Sequence, residues 1–222
     1  MPDPNSDDGS ADDSDGAAAA PAATPTATGR KRPRPGERRI QILQTLAAML
    51  EEPGAERVTT AALAARIQVS EAALYRHFAS KAQMFEGLID FIEQSVFSLV
   101  NQIAEREADG RVQAQRSVAA LLQFGEKNPG MTRVMVGDAL VFENERLLAR
   151  MSQFFDRIES QLRQSLRSAA EAAGSDTPTV DANVQASVLT AFCVGRLQRF
   201  ARSGFKRLPT EQLDGAQRLL LG

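Results

Sequence analysis

The chain has 222 residues, 43% of them apolar, and a formal net charge of −2, enough for one large domain or two small ones with a real core. Its one cysteine, Cys193, excludes an internal disulfide framework, and its one histidine, His77, stands apart from any Cys or His cluster of zinc-binding spacing. No apolar run approaches the roughly 18–20 residues of a membrane span, and the N-terminus lacks a signal-peptide core, so a soluble, cytoplasmic protein is expected.

Residues 1–29 hold six Asp, no Lys or Arg and no aromatic side chain. Such a segment buries too little apolar surface to offset its ordering entropy and is predicted to be disordered. RKRPRPGERR (30–39) then sets six basic residues against one Glu, with Pro33 and Pro35 favouring an extended arm. Beyond the tail, residues 30–222 carry 26 basic and 22 acidic residues, a net +4. Residues 1–35 therefore read as an acidic tail followed by a basic arm.

From Glu37 onward the apolar period is helical. RRIQILQTLAAMLEE (38–52) places Ile40, Leu43, Leu46, Ala47 and Leu50 on one face, and EPG (52–54) ends it. Two short helices follow over 58–77. A long one runs to residue 107 from Ser80, which has the S-x-x-Q spacing of a capping box with Gln83. Helices are predicted over 111–127, stopped by NPG (128–130), and over 131–140. Residues 144–173 carry a stripe of Leu147, Met151, Phe154, Ile158, Leu162 and Leu166; GSDTP (174–178) is a linker, and 181–203 and 210–220 complete the set. Alternating β-branched runs are missing, so the fold class is all-α with about nine helices.

VTTAAL (58–63) and VSEAAL (69–74) repeat one pattern. Thr59 and Ser70 suit N-caps, and Val58 with Leu63, then Val69 with Leu74, occupy the two positions of a hydrophobic staple. Two stapled helices joined by about three residues must cross steeply, which is a helix-turn-helix. The second helix then turns Glu71, Ala72, Tyr75 and Arg76 outward, with His77 at its end. Small residues near its start suit a major groove, and aromatic and basic ones reach phosphates and base edges. Thr60 flanks this face, Lys81 is placed to meet a phosphate, and the arm with Arg38 and Arg39 lies just upstream, where a minor groove or the backbone would receive it. Residues 30–81 hold ten Lys and Arg against five Glu, an excess that favours phosphate contact. The acidic residues 3–15 are expected either to compete with DNA for the arm or to serve as a solubilising extension.

RVTTAALAARIQVSEAALYRHFASKAQMF (57–85) resembles the DNA-binding domain of the TetR family, whose signature ends in Ser, a Leu-Tyr-x-His-Phe run and Ser-Lys. LIDFIEQS (88–95), FGEKNPGMTR (124–133) and FFDRIESQLRQ (154–164) are similar to one branch of that family, the nucleoid occlusion factors. The resemblance implies a three-helix N-terminal helix-turn-helix domain over 36–82 and a C-terminal helical bundle over 83–222 that forms a homodimer through its last long helices. It implies a palindromic double-stranded DNA site, with room for more than one dimer, and association with the nucleoid. It also implies that the DNA-bound protein binds the tubulin-like division protein FtsZ and disrupts its polymers, with no catalysis and no cofactor. Arg116, Lys127 and Asn128 are candidate FtsZ contacts, because FtsZ is acidic and the GEKNPG turn lies in the region the branch uses. Gln123 belongs to the same surface but stands where the branch has a small Gly; Leu99 stands where it has a basic residue, and Gln68 where a Gly is usual.

The alternative expectation is a ligand-responsive repressor, the commonest role in the family. Phe124, Met131, Met135, Phe142 and Phe192 would line its effector pocket, although ordinary core packing also explains apolar residues at this spacing.

Overall fold

The structure, a computed structural model, describes residues 36–52 and 57–222. The acidic tail, most of the basic arm and the Pro-Gly step after Glu52 lie outside the described residues. Among those described there are nine α-helices and no strand: α1 (Glu37–Glu51), α2 (Thr60–Arg66), α3 (Glu71–Tyr75), α4 (Lys81–Arg106), α5 (Gly110–Lys127), α6 (Pro129–Met135), α7 (Glu145–Ala172), α8 (Pro178–Arg202) and α9 (Leu213–Leu221), with a 3-10 turn at Asp138–Leu140. The all-α reading holds among the described residues.

Helix starts follow their side-chain caps. Thr59 accepts from the Ala62 amide at 3.2 Å, Ser70 from Ala73 at 3.3 Å and Ser80 from Gln83 at 3.2 Å, each capping the first turn of its helix. The box at Ser80 closes one residue further out than expected, because Gln83 accepts from the amide of Ala79 at 2.8 Å.

The structure departs from the sequence expectation at both ends of α6 and on the buried face of α1. α5 ends at Lys127 as expected, and Pro129 also opens α6, two residues earlier than expected, in the position where a missing N–H costs nothing. Gly137, left-handed at φ 85°, then ends the stretch that looked like one helix to residue 140. In α1 the buried face is Ile42, Leu46, Ala47, Met49 and Leu50, while Ile40 is 57% exposed.

The α7 stripe is buried from Leu147 to Leu166 and packs on α5 and α8. Phe154 is fully buried, edge-on to Phe97 of α4 at 5.5 Å. Cys193 is buried inside α8, and that burial pushes its thiol up to about 12, so it is a neutral core side chain at physiological pH.

The helix-turn-helix corner carries a strained residue. Val69 donates to the Ala64 carbonyl at 3.0 Å and Gln68 to Ala65 at 3.1 Å, the Schellman pattern, which puts Gln68 in the left-handed region at φ 57°. At the end of α8 the same pattern uses Gly204, at φ 62°. A side chain pays a steric penalty there that glycine escapes. Gln68→Gly is therefore expected to raise stability by about 1 kcal/mol and the melting temperature by roughly 2–4 °C. A lower melting temperature would show that the Gln68 side chain contributes more than its backbone costs.

Candidate nucleic-acid interface

Leu63, Ile67, Leu74 and Phe78 are buried together with α1, which fixes the angle of α3. The turn is tied again at the surface, where Thr60 Oγ1 donates to Glu71 Oε2 at 2.6 Å. Thr59, Thr60, Ser70 and Glu71 are therefore engaged in building the motif. Ala72, Tyr75, Arg76 and His77, on α3 and its exit, are exposed and take no side-chain part in that construction, Tyr75 being 46% exposed. The Arg76 side chain makes no hydrogen bond or ion pair among the described residues.

The cations around α3 divide sharply. Arg39 donates to the His77 carbonyl at 2.8 Å and lies 4.0 Å above the Phe78 ring, so it anchors α1 to the exit of α3. Arg38 reaches Gln41 at 2.8 Å, and Arg66 pairs with Glu52 at 2.6 Å. Lys81 turns away from the reading face and pairs with Glu143, in the loop before α7. Sequence offered no signal for that partner, which lies 62 positions downstream.

Lys81 opens a row of ion pairs joining α4 to the start of α7. Arg146 meets Glu86 at 2.7 Å, and Arg150 meets Asp90 at 2.6 Å and Glu93 at 2.8 Å. Hydrogen bonding to Glu93, and then to Asp90, holds the Arg150 guanidinium well above its usual pKa against partial burial. Each exposed pair is worth little alone; as a row they index the reading head to the bundle.

The second link is the FGEKNPG segment. Phe124 is buried, and the Gly125 face is so close to α8 that a Cβ would lie 2.4 Å from Leu197 Cδ2. Thr132 donates to the Gly125 carbonyl at 2.8 Å, Glu126 accepts from Thr210, and Asn128 donates to the Phe124 carbonyl at 2.7 Å. At Gly130, α6 meets α1: a Cβ there would lie 2.0 Å from the Ala47 carbonyl oxygen.

This architecture has known counterparts. Residues 42–88 match the family model for bacterial regulatory proteins of the tetR family, and residues 109–221 match the tetracyclin repressor-like C-terminal domain of the SlmA-like type. The chain belongs to the TetR family. Curated TetR-family relatives named nucleoid occlusion factor SlmA are 52% identical over 178 residues in Salmonella typhi and 53% identical over 178 residues in Vibrio cholerae serotype O1. Each alignment covers 80% of this chain, and 89% and 90% of the relative. Among solved structures, FadR from Bacillus subtilis in complex with stearoyl-CoA superposes with a TM-score of 0.65 at 12% identity, covering 82% of this chain and 97% of that one. PfmR from Thermus thermophilus gives 0.64 at 20% identity, covering 82% and 94%. These last two establish the TetR fold alone.

The second candidate surface also lies on TetR-family elements. Arg116, Gln123 and Lys127 fall seven and four residues apart on one exposed face of α5. Arg116 is paired with Glu107 at 3.2 Å, and Asn128, half-buried, uses its amide to hold the end of α5. Phe91 and Leu99 on α4 are 48% and 42% exposed, and α4 packs against α5. Phe91 was missed from sequence because it sits in an apolar period that looks like core.

Of the five residues of the expected effector pocket, Met131 and Phe192 are partly buried against the core. Phe124 and Met135 are buried in the core, Phe142 is 67% exposed after the 3-10 turn, and Phe192 lines a groove on α8 with Gly195 and Arg196. No helix among the described residues is long and apolar enough to cross a membrane.

Proposed function

We propose that this chain is a DNA-binding nucleoid occlusion factor that acts as a homodimer and, when bound to a palindromic site, antagonises FtsZ polymerisation and so blocks division over the chromosome. The observation that carries this reading is the identity of 52–53% to proteins named nucleoid occlusion factor SlmA, spread over four-fifths of the chain. Both the helix-turn-helix and the divergent C-terminal half fall within it.

Dimerisation is supported by α8. Val180, Val184 and Val188 recur every fourth residue, are 45–59% exposed, and continue through Ala191 towards Gly195. An apolar stripe of this length on a long helix suits a matching helix across a two-fold axis. For FtsZ, the α5 face of Arg116, Gln123 and Lys127 beside Phe91 and Leu99 offers cations next to apolar side chains, fitting an acidic segment with apolar anchors.

The DNA half rests on Tyr75 and Arg76. On a duplex selected from the protein's own genome by pull-down, Tyr75→Ala and Arg76→Ala are each expected to weaken binding about 10- to 100-fold, with the melting temperature unchanged. For Arg76→Ala, a salt slope flattened by about 0.9 assigns it to a phosphate, and an unchanged slope with reduced sequence preference assigns it to a base edge. Wild-type affinity in both variants would contradict the assignment of this face.

A further inference from the structure

Among the described residues, a cluster of cations without ion-pair partners lies at the far end of α8. Between Gly195 and Thr210 the chain has Arg196, Arg199, Arg202, Lys206 and Arg207 and no acidic residue. The last four are exposed, and none of the five forms an ion pair among the described residues. The nearest acid along the chain, Glu211, shares a recess with Arg196, Arg199 and Arg207.

This surface is built on a fixed scaffold. Ser203 Oγ accepts from the backbone amides of Lys206 and Arg207 at 3.1 and 2.9 Å. Phe205 packs edge-on to Phe200 at 5.2 Å and lies under Arg133 of α6 at 5.3 Å, while Arg196 stacks on Phe192 at 4.9 Å. A backbone held this way has little further entropy to lose on meeting a ligand.

We infer that this cluster is a second DNA-binding surface, one that contacts backbone phosphates of the operator duplex between the two half-sites without reading sequence. Three observations carry it. First, Arg39, Arg66 and Lys81 of the helix-turn-helix region are engaged inside the protein, whereas no cation of the α8 cluster forms an ion pair among the described residues. Phosphate neutralisation supplies much of the affinity of a DNA-binding protein, so an unpaired cation cluster on the same body is suited to that charge. Second, the cluster occupies the end of the bundle that adjoins the reading head, because Arg133 of α6 covers Phe205 while Gly130 of the same helix abuts α1. Third, Arg202 lies about five helical turns beyond Val184 on the same face of α8. Resting on the dimer proposed above, two clusters then share one end of the two-fold axis. Ten cations there repel one another unless a polyanion lies between them, and on a palindromic site that axis passes through the middle of the duplex.

The test uses the full-length protein and its Arg199→Gln/Arg202→Gln/Lys206→Gln/Arg207→Gln variant on one genome-selected duplex, with melting temperature confirming that both are folded. The slope of log affinity against log salt is expected to flatten by about 0.9 for each phosphate that the variant no longer neutralises. Hydroxyl-radical protection should disappear from the centre of the site but persist at the half-sites, with sequence preference unchanged. An unchanged slope and intact central protection would overturn the assignment. So would a wild-type dimer that holds two duplexes where the variant holds one, since the cluster would then bridge separate DNAs. Sedimentation of both proteins measures the dimer itself, so failure of that reading is seen separately.

Discussion

Replacing Gly130 with alanine is expected to be among the most damaging single changes in this protein, although it adds only one methyl group. That methyl would lie 2.0 Å from the Ala47 carbonyl oxygen, a backbone atom in the middle of α1. A flexible side chain could move aside; this oxygen moves only if the helix moves. Ala47 lies between Leu46 and Leu50, which hold α1 in the core of the reading head. Overpacking of this kind costs about 3 kcal/mol, or roughly 6–12 °C in melting temperature for a chain of this size. Thermal unfolding followed by circular dichroism measures it, with Gly215→Ala as the control, since only the tip of Arg218 comes within 4 Å of a Cβ there. DNA affinity should fall as well, because α1 carries the contacts that orient α3. A variant with wild-type melting and wild-type affinity would mean that α6 does not set the position of the head.

The second large effect lies where α4 crosses α7. Phe154 is fully buried between Phe97 at 5.5 Å and Phe155 at 5.1 Å, both edge-on, and Arg157 lies 3.9 Å above the Phe97 ring. Phe154→Ala removes one ring from two aromatic contacts and leaves a cavity that a pair of long helices cannot collapse to fill. The expected loss is about 3–5 kcal/mol, read as a lower urea midpoint with an unchanged slope. A loss under about 1 kcal/mol would contradict the packing described here.

What the sequence made legible was what local chemistry decides. The stapled caps at Thr59 and Ser70 and the buried α7 stripe each follow from residues within a few positions of one another, whereas the left-handed corner at Gln68 was marked only by the resemblance to the family. Contacts between distant segments were not legible. Nothing near Lys81 marks it for Glu143 rather than a phosphate, and nothing near Arg39 marks it for the His77 carbonyl. FGEKNPG shows the same limit from the other side. Its Asn, Pro and Gly read locally as a helix stop, and α5 does end there, but the local reading did not show that Gly130 fits against a helix more than 80 positions upstream. Ile40 and Phe91 fail for a related reason: a helical period identifies an apolar face, and only the tertiary arrangement decides whether another element covers it.

The most direct measurement is GTP-dependent light scattering of FtsZ with this protein added free and then bound to its genome-selected duplex. The account predicts that the DNA-bound protein lowers scattering, that the free protein does so much less, and that Lys127→Glu removes the effect without weakening DNA binding. If the duplex binds tightly and neither form alters FtsZ, the occlusion reading is contradicted, and the chain is a TetR-family repressor whose target is transcription.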